Sequence, residues 1–157
     1  VRVARGGLIA TNLGEVSLGT EPVAITHEER MFTGRAADVG NPHVVVFTDH
    51  DVLRRLDLSK APSWNPTDAF PAGVNVEFVH EVLPGELLMR VHERGCGETL
   101  SCGTGVVAAA TAYRDRSGFD GPIQVRVRGG DLTVSFEGDD AWLTGPAVIV
   151  ARGEYWS

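Results

Sequence analysis

The sequence has little cysteine. Cys96 and Cys102 are the only two among its 157 residues, which is too few for a disulfide framework. They also lack the paired Cys and His neighbours of a structural zinc site, and the segment HERGC at 92–96 lacks the second histidine of the HExxH motif. These absences exclude a disulfide-stapled scaffold and the common zinc motifs, so we predict no metal.

Long apolar runs and clusters of positive charge are absent as well. No run approaches the ~20 apolar residues of a transmembrane helix, and Asn12 and Glu15 interrupt any apolar signal core near the N-terminus. The 14 Lys and Arg residues are scattered and are outnumbered by 21 Asp and Glu residues, for a formal charge of −7. Because phosphate backbones select clustered Lys and Arg, we expect no nucleic-acid partner. The lack of a spanning run and of an apolar signal core leads us to expect no membrane partner and a cytoplasmic location.

What the sequence does have is enough apolar material for a core. A chain of 157 residues that is 43% hydrophobic and 22% charged, with 19 glycines and 8 prolines, is typical of a turn-rich globular protein. At this length about two thirds of the unfolded surface can be buried. We therefore predict a single domain over residues 1–157.

Extended segments dominate the pattern. Between 123 and 137, apolar and polar residues alternate on both sides of Gly129-Gly130, which predicts a β-hairpin with its turn at the two glycines. The segment 141–156 predicts two short strands broken at Gly145-Pro146. We also expect strands at 43–49, 74–82 and 86–93, a loop at 60–73, and a short helix at 51–58 with Leu53 and Leu56 facing inward.

The segment GTGVVAAATAYRDR, from Gly103 to about Arg116, predicts a second helix. Small apolar residues surround it for more than two turns, which is typical of a helix buried on most sides. Because nearly everything else is extended, we predict an α+β fold in which a mostly antiparallel, barrel-like sheet wraps around this one central helix.

Cys102 lies immediately before this helix, where the positive end of the helix dipole favours a thiolate. Gly103 and Gly105 leave backbone N–H groups open to an anion such as a carboxylate, and Thr104 adds a hydroxyl. The spacing alone is equally compatible with an inert, buried cysteine beside tight glycine turns.

Four motifs in order along the chain resemble the C-terminal half of diaminopimelate epimerase. They are GNPHVVVF (40–47), GVNVEFV (73–79), RVHERGCGETLSCGTGVVAAA (90–110) and LTGPAVIVARGEY (143–155). The CGTG element alone would also fit proline racemase and its relatives. The resemblance implies one of two similar lobes, each a β-barrel around a central helix, which agrees with the buried-helix pattern.

The resemblance implies an isomerase that needs no cofactor, including pyridoxal phosphate. It would epimerise LL-diaminopimelate to meso-diaminopimelate, in lysine and peptidoglycan-precursor biosynthesis, with two cysteines on opposite faces of the α-carbon. Cys102 matches the cysteine of the second lobe, whereas the first-lobe motif GNGxRC does not occur here. We therefore expect this chain to be inactive without a partner N-terminal lobe. Its uncovered apolar surface would favour that partner or self-association, for example as a homodimer.

The resemblance also implies substrate contacts near the thiol. Gly103 and Thr104 would present backbone N–H groups to the reacting carboxylate. Glu93 would hold the reacting ammonium and Arg94 the distal carboxylate, which a guanidinium can bind through both oxygens. Judged by pattern alone, Glu93 and Arg94 are typical of a solvated surface pair.

Three further positions follow from the same motifs. Asn41 and Asn75 would bind the distal, non-reacting centre, where amides serve both a carboxylate and an ammonium. His43 would lie near the thiol and tune its proton, although a lone histidine at a strand start is often structural. Glu98 and Thr99 would shape the loop before the thiol, and Cys96 is expected to be a passive packing residue.

Two alternatives remain open from the sequence. One is an amino-acid racemase of the proline racemase type, against which Arg94 argues because proline has no distal carboxylate. The other is a non-catalytic binding domain on the same fold, which would carry an unreactive thiol at Cys102.

Overall fold

Twelve short strands and two α-helices make up the described part of the chain, residues 1–3 and 5–154 of a computed structural model. Two single-turn 3-10 helices occupy Arg5–Gly7 and Thr67–Ala69. The other elements, in chain order, are β1 (Arg2–Val3), β2 (Ile9–Glu15), β3 (Ser17–His27), β4 (Arg30–Asp38), β5 (Pro42–Phe47), α1 (His50–Arg55), β6 (Ser63–Asn65), β7 (Asn75–Leu83), β8 (Glu86–Glu93), β9 (Gly97–Glu98), α2 (Gly103–Ser117), β10 (Ile123–Val127), β11 (Gly130–Glu137) and β12 (Asp140–Gly145).

All the strands belong to one open sheet. Its order is β1-β2-β12-β11-β10-β8-β7-β5-β4-β3-β6, and β9 pairs with the end of β8. Most neighbours are antiparallel, whereas β5–β7 and β8–β10 are parallel. The α+β class is confirmed, with a mixed sheet that remains open between β1 and β6.

Helix α2 lies at the centre of this sheet. It contacts β12, β11, β10, β8, β7, β5 and β4, which are consecutive in the sheet order, so the sheet must curve around the helix. Ala108, Ala109 and Ala110 are fully buried, and their small side chains let strands approach on several sides. The predicted central helix is confirmed. It ends at Ser117 and is followed by the C-cap Gly118, which adopts a left-handed conformation with φ 71°.

A second apolar cluster covers the opposite face of the sheet. In β5, Val44 and Val46 face this cluster while Val45 faces α2, as alternation along a strand requires. Helix α1 ends at Arg55 because Leu56 adopts an extended conformation. Leu53, Leu56 and Leu58 are all buried against this face, so the inward residues were predicted correctly although the helix is shorter than expected. Neither α-helix among the described residues is long and apolar enough to cross a membrane.

Several boundaries differ from the sequence predictions. The expected loop at 60–73 contains β6, which pairs with β3, and a 3-10 turn. The hairpin turn lies at Arg128–Gly129, and Gly130 already pairs with Val127. The strands β2–β4 were not located from the pattern. In β3, a register shift between Leu18 and Pro22 interrupts the alternation.

We predicted a second strand after Gly145-Pro146, and for residues 146–154 this prediction is wrong. Residues 146–154 form no regular element. Tyr155, which the predicted strand and the fourth motif included, and Trp156, which the predicted strand included, lie outside the described residues. Val148, Ile149 and Val150 are 81%, 72% and 92% exposed. A β-branched run becomes a strand only beside a neighbouring strand, and none pairs with this segment in the described chain.

Tyr113 ties the second half of α2 to the β7–β8 turn and generates a first prediction. Its hydroxyl donates to Glu81 Oε1 at 2.7 Å and accepts from the Gly85 N–H at 3.1 Å. Tyr113→Phe leaves that buried N–H unsatisfied, so we expect a loss of about 1–3 kcal/mol in the free energy of unfolding, measured by urea denaturation.

The matched control is Asp131→Asn, which removes an exposed ion pair with Arg126 and should change stability by less than about 0.5 kcal/mol. Equal effects of the two substitutions would contradict the role given to Tyr113.

Candidate active site

The sheet topology brings the predicted polar residues to one end of α2. Strands β5 and β7 are parallel and both begin there, with His43 opposite Asn75. Strand β8 is antiparallel to β7 and ends there at Glu93. Because α2 also begins at this end, with Cys102 directly before it, residues far apart in sequence converge on the thiol.

The face of the sheet that meets α2 changes from apolar to polar at this end. In β8, Leu87, Met89 and Val91 pack in the core around α2, and Glu93 continues the same alternating series. In β7 the α2-facing positions are Asn75, Glu77 and Val79, while Val74, Val76 and Phe78 belong to the opposite cluster. The start of α2 therefore faces acids and amides, and the rest of the helix faces aliphatic side chains.

Cys102 occupies the N-cap position of α2. Its carbonyl accepts the first helical hydrogen bond from the Val106 N–H at 2.9 Å, and its Sγ lies 3.6 Å from Thr104 Oγ1. The residue is only 8% exposed.

Burial raises the pKa of the Cys102 thiol, and the negative charges of Glu77 and Glu93 raise it further. Hydrogen bonds from Thr104 and the Gly105 N–H lower this pKa, but by less than burial raises it. The expectation of easier ionisation at the helix N-terminus is therefore wrong for this chain, because loss of hydration opposes the thiolate more than the helix start favours it.

A fully buried pair, His43 and Glu77, lies beside the thiol. His43 Nδ1 is 2.7 Å from Glu77 Oε1, and His43 Nε2 is 3.1 Å from Asn41 Oδ1. Burial raises the pKa of Glu77, and its hydrogen bond with His43 opposes that rise. The other carboxylate oxygen, Glu77 Oε2, is buried and has no hydrogen-bond partner among the described residues.

Glu77 was missed in the sequence analysis, although a signal was present. It stands two residues after Asn75 in the first half of β7, where its neighbours Val76, Phe78 and Val79 are apolar. An acid within the apolar first half of a central strand is expected to be buried, and buried acids cluster at functional sites.

Gly105 is required by its closeness to Glu77. A Cβ at residue 105 would lie 2.5 Å from Glu77 Oε1, whereas one at Gly103 would lie 3.2 Å from Leu143 Cδ2, the end of a flexible side chain. The absence of a side chain at 105 thus lets α2 lie directly over the buried carboxylate. From the sequence, this glycine was expected to serve an open anion-binding backbone or a tight turn, and its packing against Glu77 was not predicted.

Glu93 and Arg94 are adjacent in sequence but have different hydrogen-bond partners. Glu93 Oε1 accepts a hydrogen bond from Thr99 Oγ1. The Arg94 N–H donates to Asn75 Oδ1 at 3.0 Å, and its Nη1 donates to the Ala72 carbonyl at 3.4 Å. The Asn75 oxygen is thus used within the protein, its amide N–H groups donate no hydrogen bond to the described residues, and the Arg94 side chain is exposed.

Glu98 anchors the loop that leads to Cys102. It accepts two hydrogen bonds from Arg90, at 2.7 and 3.0 Å, and pairs with Arg128 at 2.9 Å. The hydrogen bond with Arg90 is the main reason that the pKa of Glu98 is lowered. In the same loop, the Leu100 carbonyl accepts from the Gly129 N–H at 2.7 Å. These contacts agree with the loop-shaping role expected for Glu98 and Thr99.

The remaining cysteine and the larger grooves lie away from this cluster. Cys96 is exposed and free. Two grooves of the described chain lie along the second half of α2 and share Arg35; Cys102 lines neither.

Comparison with known proteins decides the family. The family model named diaminopimelate epimerase matches residues 35–155. The chain belongs to the diaminopimelate epimerase family.

Curated relatives extend the match over most of the chain. Diaminopimelate epimerase from Rhodococcus erythropolis is 46% identical over 96% of this chain and 52% of the relative. The enzyme from Streptomyces coelicolor is 42% identical over 99% of this chain and 56% of the relative. This chain therefore spans about half the length of the family members it matches.

A solved structure supports the fold. A protein from Pseudomonas aeruginosa described as a predicted epimerase superposes with a TM-score of 0.67, at 17% identity, over 98% of this chain and 61% of that one. At that identity the likeness concerns the fold alone.

The glycine beside Glu77 gives a second prediction. Alanine normally stabilises a helix interior relative to glycine by about 1 kcal/mol. Gly105→Ala should instead destabilise the protein by about 1–3 kcal/mol in urea unfolding, because its methyl group displaces the buried carboxylate. Gly103→Ala is the matched control and should stay within about 0.5 kcal/mol, since only the end of Leu143 has to move. Gly105→Ala as stable as the parent would refute the close packing.

The anchored loop gives a third prediction. The folded-state pKa of Glu98 is lowered, so its ion pairs contribute fully above the unfolded pKa of about 4.3 and are lost as the pH falls through the lower folded value. Glu98→Gln should cost about 1–3 kcal/mol at pH 7 and progressively less in acid. Glu137→Gln, which breaks the exposed pair with Arg2, should cost little at any pH. A cost for Glu98→Gln that does not vary with pH would contradict the assignment.

Proposed function

We propose that this chain is the C-terminal lobe of a two-lobe diaminopimelate epimerase, with residues 1–157 as one lobe. It would supply one of the two acid/base groups that interconvert LL- and meso-diaminopimelate. The observation that carries the proposal is the position of Cys102, at the start of a buried helix and at the polar end of the sheet, in a chain of this family.

Cys102 exchanges a proton with the α-carbon from one face. In one direction its thiolate removes the α-proton while the thiol of the first lobe delivers a proton from the other face; in the other direction the roles are reversed. Burial raises the pKa of the Cys102 thiol, which favours the proton-donating form before substrate binds. No cofactor enters this proton balance.

The start of α2 stabilises the charge that develops on the reacting carboxylate. The backbone N–H groups of Gly103 and Thr104 belong to the first turn of α2, whose N–H groups have no helical partner. Donors aimed at a developing enediolate are worth most where water is excluded. His43 is a supporting residue, because it connects Asn41 to Glu77 next to the thiol.

The remaining residues would hold the two ends of the substrate. Glu93 binds the reacting ammonium beside Cys102. Arg94, Asn41 and Asn75 bind the distal centre; the free amide N–H groups of Asn75 and the exposed guanidinium of Arg94 support this role. A proline-type substrate would leave Arg94 without a carboxylate, so diaminopimelate is the better match.

An N-terminal lobe would provide the second cysteine and the other wall of the cleft. Two observations support it: the chain spans 52–56% of the relatives from Rhodococcus erythropolis and Streptomyces coelicolor, and the tail at Val148–Val150 exposes apolar side chains. Such a tail would pack on that lobe or, in its absence, on a second copy of the chain as a homodimer.

The fourth prediction tests the reaction. A first lobe carrying a GNGxRC motif is fused ahead of Val1, and deuterium incorporation at the α-carbon of diaminopimelate is followed by NMR in D₂O. The chain alone should show no exchange, and the fusion should exchange diaminopimelate but not proline. Cys102→Ala in the fusion should reduce exchange by about 100-fold or more, because it removes one acid/base group.

Cys96→Ala is the matched control, because it removes an exposed thiol six residues away and should retain exchange. Undiminished exchange in the Cys102→Ala fusion would exclude the proposed role. Activity on proline but not on diaminopimelate would favour the racemase alternative.

A further inference from the structure

The strongest feature that the proposed reaction leaves unexplained is Glu77. Its carboxylate is fully buried, one oxygen contacts His43, and Oε2 has no hydrogen-bond partner within the described residues. An unpaired polar oxygen inside a protein costs free energy unless a donor or a cation meets it. The burial of this group therefore points to a partner that the protein groups described here do not supply.

The side chains around Glu77 form a donor set suited to a metal ion. One ring nitrogen of His43, one carboxylate oxygen of Glu77 and Cys102 Sγ all lie within 4.8 Å of one another, and all three residues are buried. A thiolate, an imidazole and a carboxylate together favour zinc-like ions over Mg²⁺ or Ca²⁺, which prefer oxygen alone. Sequence spacing excluded paired Cys/His zinc motifs but could not show this mixed set, since its members come from β5, β7 and the N-cap of α2.

We propose that His43, Glu77 and Cys102 bind a thiophilic divalent cation of the zinc class, as a three-residue site that leaves further coordination positions for water. Glu93 adds a second negative charge near the sulfur, and Thr104 and Asn41 are the other polar neighbours of the set. An ion bound there would occupy the thiol that the proposed epimerisation needs, so it would inhibit that reaction.

Binding replaces protons by the metal. The Cys102 S–H bond breaks as the sulfur–metal bond forms, and its proton leaves to solvent. The proton shared between His43 and Glu77 leaves in the same way when the ion takes lone pairs from these two residues. No oxidant or reductant is required, because the metal keeps its charge.

The test uses the 157-residue chain alone, without substrate or first lobe, so its outcome is independent of the proposed reaction. Co²⁺ is titrated into the reduced protein and sulfur-to-cobalt charge-transfer absorption is recorded, followed by displacement with Zn²⁺. We expect one equivalent to bind. Cys102→Ser should abolish the charge-transfer band, and Glu77→Gln and His43→Gln should each weaken binding by about 10- to 100-fold or more.

The parent chain provides a second measurement that depends on no variant. Iodoacetamide labels Cys96 and Cys102 in the same molecule, and peptide mass spectrometry reports each rate. Zn²⁺ should slow labelling of Cys102 at least tenfold and leave Cys96 unchanged, and Cys96→Ser should bind Co²⁺ like the parent. Equal protection of both cysteines would mean unspecific binding by thiols and would overturn the proposal. Unchanged affinity in folded Glu77→Gln and His43→Gln would overturn it as well.

Discussion

The start of α2 can lie against strand β7 only because residue 105 has no side chain. The space that a Cβ would need is occupied by Glu77 Oε1, at 2.5 Å from the ideal Cβ position. Glu77 in turn holds His43, and His43 holds Asn41. One close approach thus connects the helix that carries Cys102 to two strands and to the turn before β5. The second glycine of the CGTG segment is a packing requirement at least as much as a conformational one.

Two opposing electrostatic effects meet at Cys102. The first turn of α2 offers N–H groups and a positive dipole end, which favour a thiolate. Burial and two nearby carboxylates favour the thiol, and they prevail in this chain, where the residue is 8% exposed. The chemistry proposed for the family needs both forms of the sulfur in each turnover. A positive charge that binds beside the sulfur, such as a substrate ammonium or a cation, would favour the thiolate.

At the polar end of the sheet, the apolar core around α2 is interrupted. Around the middle of α2 the strands supply aliphatic side chains that complete a core, whereas at its start they supply acids, amides and a histidine. Buried polar groups of this kind lower the stability of a protein, and they are typical of functional sites.

Local pattern was sufficient for those features that depend on neighbours along the chain. The buried helix from Gly103, the strand at 86–93 and the inward leucines of α1 could be predicted, because the period of apolar residues encodes them directly. The gathering of Asn75, Glu93 and Cys102 was implied only by the family resemblance. The strand expected beyond Pro146 failed for a physical reason: β-branched residues favour a strand but cannot provide the neighbour that it pairs with.

The tertiary structure alone decided the parallel pairing of β5 with β7, the place of Glu77 beneath Gly105 and the raised pKa of Cys102. Each of these depends on groups that lie tens of residues apart in sequence and on the water that packing removes. The spacing of residues along the sequence determines neither the distances between these groups in the fold nor their loss of hydration.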